Sequence, residues 1–332
     1  MGNSYEPFFT KKIIHDLVIN NFMPRIHISS FYRFKEINNT DDLRNKLLAL
    51  CKKLNLFGTI LISKEGFNGS IAGKKKSILE VFDYLQRELN LNANISDNAR
   101  WNNTKIAPFK KLHVKIKSEI VALGREDIKP FVVAGKSIKP IQWNKLIQDP
   151  ETIVIDTRNE YEVNIGSFPN AINPKTDSFR EFPEFVKNIP ESEKAKPIAM
   201  FCTGGIRCEK AAALMIELGF EDVNQLEGGI LNYIEKIDDA DNLWQGECFV
   251  FDDRVAVDNE LKDGQYIQCH ACRNPLSIKE TESEDYCEGV SCPKCINKIP
   301  ADRISRFKER QKQINLAKQR GEKHIGKVMS GA

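Results

Sequence analysis

The octapeptide Phe201-Cys202-Thr203-Gly204-Gly205-Ile206-Arg207-Cys208 joins two stretches of opposite character. Before it, Pro197-Ile198-Ala199-Met200-Phe201 is a short apolar run that predicts a buried strand delivering Cys202 to its end. After it, the residues from Cys208 to Leu218 are strong helix formers, among them Ala211, Ala212, Ala213, Leu214 and Met215, and predict a helix starting at Cys208. Thr203 to Arg207 then form a small Gly-rich turn. A cysteine between a strand end and a helix N-terminus sits among backbone N–H groups that lack intrahelical acceptors. Those donors and the helix dipole favour a thiolate, or an anion bonded to the sulfur. Gly204 and Gly205 admit backbone angles that let successive N–H groups converge as an anion-binding nest. The alternative is a buried, inert cysteine ahead of a helix. The flanking sequence separates the two readings.

Ile153-Val154-Ile155-Asp156-Thr157-Arg158 supplies a strand and an Asp-x-Arg; Glu162, Gly166, Pro169 and Ala171 follow, and Val223-x-x-Leu226-x-Gly228-Gly229 closes the segment. With these, Ile153 to Ile237 resembles a rhodanese domain. The resemblance implies a catalytic cysteine, here Cys202, able to carry sulfur as a persulfide, in the six-residue loop Cys202–Arg207 usual in sulfur-handling members. Strands and helices alternate through this region: Trp143 to Gln148, Thr152 to Ile155, Phe179 to Lys187, Ile198 to Phe201, Cys208 to Leu218 and Asn224 to Leu226. That pattern predicts a parallel sheet with helices on both faces and Cys202 at a strand's carboxyl end, where such sheets place their sites. Asp156 and Arg158 read as an ion pair tying strand ends together. Arg207, read as the last loop residue, either pairs with a persulfide or substrate phosphate or faces solvent.

Upstream, Ser29 to Phe34, Phe57 to Ser63 and Gly66 to Ala72 read as strands, the last two joined at Lys64-Glu65-Gly66. Between the first two, Thr40 or Asp41 caps an amphipathic helix carrying Leu43, Leu47, Leu50 and Leu54. A second helix, Lys75 to Leu89, has Ile78, Val81, Phe82 and Leu85 on one face. Leu112-His113-Val114-Lys115-Ile116-Lys117 alternates as a half-exposed strand does and reads as the last strand of a ferredoxin-like βαββαβ domain. Turn chemistry alone accounts for Asn68-Gly69 if Glu65 to Gly73 is a hairpin. Arg100-Trp101, Lys105, Phe109-Lys110-Lys111, Lys115 and Lys117 mix bases with aromatics: either a solvated charged face, or phosphate contacts with base stacking.

Length and charge bound the rest. The 332 residues suit two or three domains, and 41% hydrophobic residues suffice for real cores. A net charge of +3 leaves nucleic-acid binding to local patches. No apolar run approaches membrane-spanning length, and no charged segment followed by an apolar run marks a signal peptide. Nine cysteines, several in Cys-x-x-Cys pairs, fit a reducing, cytoplasmic setting. Among them, Cys269-His270-Ala271-Cys272 and Cys292-Pro293-Lys294-Cys295 form two knuckles at the spacing of a tetrahedral Cys₄ zinc site in a small zinc-ribbon-like segment. Cys287 is a spare thiol able to replace a knuckle member, and His270 reads as exposed or outside the ligand set. Beyond them Arg303, Arg306, Lys308, Arg310, Lys312, Lys318, Arg320, Lys323 and Lys327 outnumber nearby acids and predict a basic helix fraying into a tail. The chain thus divides into an extension (1–25), a ferredoxin-like domain (26–123), a linker (124–138), a rhodanese domain (139–240), a Cys-rich segment (241–300) and a basic tail (301–332).

Three further stretches carry a more specific resemblance: Glu65 to Gly73; Pro108-Phe109-Lys110-Lys111 through Lys117-Ser118-Glu119-Ile120-Val121-Ala122-Leu123-Gly124; and Leu243-Trp244-Gln245-Gly246-Glu247-Cys248-Phe249-Val250-Phe251-Asp252-Asp253-Arg254-Val255. They are similar to the bacterial rhodanese-containing tRNA uridine hydroxylases (the TrhO, or UPF0176-like, family). The resemblance runs from about residue 27 to 300, domain order included. It implies oxygen-dependent formation of 5-hydroxyuridine at the tRNA wobble position, with a required rhodanese cysteine that maps onto Cys202. The partners so implied are a tRNA anticodon loop, molecular oxygen and a reductant. Lys105, Lys110, Lys111 and Lys115 are then candidates for the tRNA backbone, and Cys208 a supporting thiol. No Gly-x-Gly-x-x-Gly is present, and His15, His27, His113, His270 and His324 offer no His-x-Asp/Glu spacing, so no flavin, haem or iron motif is recognised. One reading is that a Cys202 thiolate or persulfide takes part directly, as a nucleophile at C6 of the base or as a carrier of activated oxygen. A persulfide-based sulfurtransferase and a non-catalytic tRNA- or protein-binding module are the alternatives.

Overall fold

The computed structural model describes residues 26–104, 108–252 and 254–321. The chain divides into two compact units, the first built from residues up to Arg33 with Asn39–Leu61 and Asn68–Ile116, the second from Phe34–Asn38, Ile62–Phe67 and the chain from Lys117 on.

Strands β1 (Ile26–Phe34), β2 (Phe57–Ser63), β3 (Gly66–Gly73), β4 (Arg100–Thr104) and β5 (Leu112–Ile116) form one sheet in the order β4-β1-β3-β2-β5. Helix α1 (Thr40–Lys53) buries Leu43, Leu47 and Cys51, and α2 (Lys75–Glu88) buries Ile78, Val81, Phe82 and Leu85. The first four strands have the ferredoxin-like split βαβ order. The fourth strand is not the one the alternation in 112–117 indicates. Arg100–Thr104 fills that place, antiparallel to β1 from Ile26↔Thr104 to Ser30↔Arg100, and Leu112–Ile116 adds a fifth strand beside β2. Arg100-Trp101-Asn102-Asn103-Thr104 lacks alternation because pairing and one large side chain fix it: Trp101 meets Phe82 edge-on at 5.8 Å and lies under Lys75 Nζ at 5.5 Å. The cap of α1 is Asn39, whose Oδ1 accepts from the Asp42 N–H at 3.1 Å, one residue ahead of Thr40. Asn68-Gly69 lies within β3 rather than in a turn, and a Cβ at 69 would meet Phe31 Cζ at 3.0 Å and the Thr59 carbonyl at 3.1 Å.

In the second unit, β6 (Lys136–Ile138), β7 (Ile153–Asp156), β9 (Pro197–Phe201) and β10 (Asp222–Leu226) form a parallel sheet in the order β6-β10-β9-β7; β8 is the short strand Gly166–Ser167. Helices α3 (Pro140–Gln148), α4 (Phe182–Lys187), α5 (Ile206–Glu217) and α6 (Gly229–Lys236) cover it. The period-two alternation of β9 sends its side chains into two cores. Ile198 and Met200 pack with Phe182, Val186 and the Ala211–Met215 face of α5, while Ala199 and Phe201 pack with Trp143, Ile230 and Tyr233. Every residue of β9 after Pro197 is buried, which is why the run reads as continuously apolar.

The packing runs across the expected domain edges. Residues 124–138 are no linker: Ile128 is in the core and Lys136–Ile138 pairs with β10. Past residue 240 the packing continues: Trp244, Cys248, Val250 and Val257 join the second core of the parallel sheet, and Gln245-Gly246 pairs with β8. Gly and Pro there mark bends, not a domain edge. At the far end, α7 (Ala301–Gln319) is anchored through Arg310, whose Nη2 donates to the carbonyls of Gly289 (2.7 Å) and His270 (3.1 Å). Among the described residues no helix is long and apolar enough to cross a membrane.

Candidate active site and metal centre

Cys202 leaves the carboxyl end of β9 fully buried, at 0% exposure. The loop then turns at Gly205, in the left-handed region at φ +97°, and α5 begins at Ile206, two residues before the start that helix propensity indicates. Gly205 N–H donates to Cys202 Sγ at 3.0 Å. The loop carbonyls point away from the sulfur, into the start of α6: Ile230 N–H donates to the Cys202 carbonyl (2.9 Å) and Leu231 N–H to that of Thr203 (3.2 Å). This packing requires glycine at 229. Its φ is +69°, and a Cβ there would lie 2.4 Å from the Cys202 oxygen and 2.8 Å from the nitrogens of Gly204 and Gly205. A Cβ on Gly204 would meet nothing within 4 Å, so the loop is open on that side.

Burial alone would raise the Cys202 thiol. A hydrogen bond from the Cys208 thiol, the Arg207 charge and the backbone N–H groups of Cys208 and Arg207 outweigh it, and hold Cys202 well below the ordinary thiol value. Cys208, also fully buried, moves the other way: burial and the neighbouring Cys202 sulfur push it up. Thr157 Oγ1 lies 3.5 Å from Cys208 Sγ and donates to the Phe201 carbonyl at 3.0 Å.

Arg207 neither faces solvent nor stands free for a phosphate. It is buried on the first turn of α5, donating from Nη1 to Glu162 Oε2 (2.5 Å) and from Nη2 to Glu162 Oε1 (2.8 Å). Burial would raise the Glu162 carboxyl, but Arg207, then Arg158 and the Asn159 N–H, hold it below the usual carboxylate range. Asp156 and Arg158 form a second, fully buried pair: Nε to Oδ1 at 2.9 Å and Nη2 to Oδ2 at 2.6 Å. Arg158 also donates to the carbonyls of Glu162 (3.3 Å) and Gly166 (2.6 Å), so it fixes the segment that presents Glu162. Thr203 Oγ1 lies 3.5 Å from Glu162 Oε1 and 3.4 Å from the Phe249 carbonyl. Ile206 is half-buried at the helix start. Above Arg207 stands Phe251, 68% exposed, its ring 5.9 Å from the guanidinium and edge-on to Phe249 at 5.1 Å.

Glu162 lies 45 residues from Arg207 in sequence. The one local signal for it, Asn159-x-x-Glu162, announces the capping box it also forms, with Asn159 N–H donating to Oε2 at 3.0 Å. One turn further along α5, Lys210 is completely buried, with Nζ 2.5 Å from Glu65 Oε2 and 2.7 Å from Glu119 Oε2. Burial keeps Glu65 above the usual carboxylate range; in Glu119 the same burial is overcome by Lys210 and the N–H groups of Gly124 and Leu123. Glu65 and Glu119 thus turn inward from the two stretches that read as a hairpin turn and the end of a strand.

Lys110, Lys111 and Lys115 are exposed, as is Lys117, and Lys105 lies outside the described residues. Trp101 is half-buried, edge-on to Phe82 and with Lys75 Nζ over its ring.

The sulfurs of Cys269, Cys272, Cys292 and Cys295 lie within 4.8 Å of one another and could hold a metal ion. The Cys272–Cys292 and Cys292–Cys295 separations are 3.7 and 3.5 Å. A tetrahedral S₄ zinc with bonds of about 2.3 Å needs sulfurs about 3.8 Å apart, so the donor set and spacing suit that ion. Two N–H groups point at the sulfurs, Cys292 N to Cys295 Sγ and Asn274 Nδ2 to Cys272 Sγ, each at 3.3 Å. Cys287 is exposed and outside the cluster, and His270 is exposed.

Residues 26–120 match the UPF0176 acylphosphatase-like domain and residues 140–236 the rhodanese-like domain. Solved structures similar to parts of the chain include a rhodanese-related protein from Thermoplasma volcanium, with 29% identity over 30% of this chain and 92% of that one (TM-score 0.26). A protein from Bacillus halodurans is 25% identical over 31% and 73% (TM-score 0.26). A human single-domain sulfurtransferase is 18% identical over 31% and 99% (TM-score 0.27). With an acylphosphatase-like UPF0176 domain followed by a rhodanese domain whose loop cradles Cys202, the chain belongs to the UPF0176 family of rhodanese-domain proteins.

Proposed function

We propose that the protein hydroxylates C5 of the wobble uridine in tRNA, with Cys202 as the reacting thiolate. The observation that carries this reading is the Cys202 loop itself, a buried sulfur kept anionic by Gly205 N–H, Arg207 and Cys208 and open at Gly204. The chain's family supports it. A wobble base lies in an exposed anticodon loop and can be splayed towards such a site without melting a duplex. Addition of the thiolate to C6 places electron density on C5. Oxygen and two electrons from a reductant deliver a hydroxyl there, with water as the second product, and loss of the C5 proton expels the thiolate. Phe251 is the aromatic face at the mouth against which a flat base would stack. The exposed Lys110, Lys111 and Lys115 supply phosphate contacts, and the four-cysteine cluster holds a structural zinc.

The test is nucleoside mass spectrometry of tRNA from cells with the gene, without it, and with Cys202→Ala. Loss of 5-hydroxyuridine in the latter two is the expected outcome. Retention of the nucleoside in both, with turnover of thiosulfate by purified protein without RNA, would instead establish a sulfurtransferase.

A further inference from the structure

The strands of the first sheet, β1 to β5, contain no aspartate or glutamate; their charged residues are Arg33, Arg100 and Lys115, with His27 and His113 beside them. The acids of that unit's two long helices, Asp41, Asp42, Glu80, Asp83 and Glu88, stand on α1 and α2. Those helices cover the sheet face that carries Phe31, which meets Phe82 of α2 at 4.8 Å; Ile60, Ile71 and Val114 are buried with it. Alternation turns Ile28, Ser30, Thr59, Leu61, Ser70 and Lys115 to the opposite face, where none of the six is buried and Ser30 and Lys115 are exposed. Ser30 Oγ donates to Ser70 Oγ at 2.9 Å across that face. At the start of β2, Phe57 is 43% exposed, and the N–H of its neighbour Gly58 donates to the Lys111 carbonyl at 3.0 Å. An open aromatic ring and the exposed Lys110-Lys111 pair therefore share one end of the sheet.

We propose that this helix-free face is a platform for an unpaired RNA segment, with bases laid on the sheet and phosphates along its lysine-bearing edge. The proposal rests on the RNA substrate argued above and gives that substrate a seat on the first unit. Charge complementarity carries it. An ordinary solvated surface intersperses acids with bases, whereas these strands offer a polyanion only positive charge. The chemistry of the face suits bases as well as phosphates. Ile28 and Leu61 supply flat apolar surface, Phe57 a ring to stack on, and Ser30, Thr59 and Ser70 hydroxyls able to meet base edges in either sense. A duplex keeps its bases stacked inside and presents only phosphates and sugars, so the lysines alone would meet it. Single strands and loops leave bases free to splay onto such a surface.

The test is fluorescence anisotropy of full-length protein with a fluorescein-labelled oligouridylate of about ten nucleotides, and with an RNA duplex of the same length. The single strand should bind at least about tenfold more tightly. Ser30→Glu, an acid set on the acid-free face, should weaken it about tenfold, and Ser30→Lys should tighten it, a pair of opposite signs that misfolding cannot produce. Lys76→Glu, a larger charge change at an exposed position of α2, should shift affinity less than about twofold. Phe57→Leu should weaken binding about tenfold with the salt slope unchanged, because stacking rather than charge is lost. The proposal is overturned by a single strand that does not bind or binds no better than the duplex, or by Ser30→Glu behaving as Lys76→Glu does. None of these measurements involves oxygen, a reductant or Cys202. A platform that binds RNA in a chain that forms no 5-hydroxyuridine therefore leaves this inference standing and removes the hydroxylation, and 5-hydroxyuridine formation with binding indifferent to Ser30→Glu does the reverse.

Discussion

Arg207 and Glu162 meet in a two-pronged ion pair, Nη1 to Oε2 at 2.5 Å and Nη2 to Oε1 at 2.8 Å, with both side chains buried beside the Cys202 loop. The pair places a positive charge near the sulfur without leaving it unpaired in the core. Removing either partner leaves a buried charge alone, which costs about 3–5 kcal/mol. Glu162→Gln and Arg207→Met are both expected to lose stability on that scale in denaturant unfolding, and the double variant less than the sum. Their effects on Cys202 should oppose each other. With Glu162 neutralised, Arg207 acts undiminished and the thiol pKa falls; without Arg207 it rises. A purely structural pair would move both variants alike.

The pH dependence of Cys202 follows from the same arrangement. An unperturbed thiol titrates near about 8.5, whereas the Cys208 hydrogen bond, Arg207 and backbone N–H groups bring Cys202, against burial, down to about 5. Alkylation by iodoacetamide, read on the peptide ending at Arg207, should therefore rise with a midpoint near 5 and be flat by neutral pH. The sign for stability is that of a depressed acid. The thiolate's contribution is fully present above about 8.5 and is lost as pH falls towards the folded value near 5. The stability difference between wild type and Cys202→Ala should shrink over that interval. A midpoint for alkylation above 8 would remove the thiolate from the resting site.

Gly229 is expected to be the most sensitive glycine of the site. Alanine there must adopt φ +69° and place a Cβ 2.4 Å from the Cys202 oxygen, so the loop has to shift. The left-handed conformation alone costs about 1–2 kcal/mol. Gly229→Ala should keep the parallel sheet, by far-ultraviolet circular dichroism, yet raise the Cys202 midpoint as the Gly204 and Gly205 N–H groups move. Gly204→Ala, with nothing within 4 Å of its Cβ, is the matched control and should leave the midpoint in place.

The four-cysteine cluster gives a separable result. Elemental analysis should find about one zinc per chain, as a closed four-thiolate site requires. Cys292→Ser should lose it and Cys287→Ser should not. A segment with so small a core, Leu276 and the four cysteines with a few half-buried neighbours, takes much of its folding energy from the ion. Chelation should thus open residues 267–300 to protease while the parallel sheet stays intact. Metal-free protein with that segment protected would show that packing suffices.

What can be read from the sequence is local. The strand Pro197–Phe201, the cysteine at its end and the helix behind it announce themselves because each depends on neighbouring residues. So do the knuckles, which are four residues long. Arg100–Thr104 escapes notice because its strand is made by pairing with β1, 70 or more residues earlier. The Lys210 cluster escapes for the same reason: Glu65 is 145 residues away and Glu119 is 91. Both acids sit in stretches whose turn and strand chemistry already accounts for a polar residue. Arg207 reads as open between solvent and ligand because its true partner, Glu162, is indistinguishable in sequence from any helix-capping glutamate.

The grip on tRNA is tested on the first unit. Lys110, Lys111 and Lys115 are exposed around the start of β5, where they add positive charge with no visible role in the core. Surface lysines that meet phosphates release counterions, so each lost contact lowers the log–log salt slope by roughly 0.7–0.9. Lys110→Glu with Lys111→Glu should weaken tRNA binding at low salt and reduce that slope by about 1.5, measured by titration at two or more salt concentrations. Fold and chemistry should be untouched, because neither side chain is buried: thermal unfolding should change little and the alkylation midpoint of Cys202 should not move. An unchanged affinity and slope would take these lysines out of the interface. The basic residues of α7, Arg303, Arg306, Lys308 and Lys312 among them, would then be exchanged in the same assay.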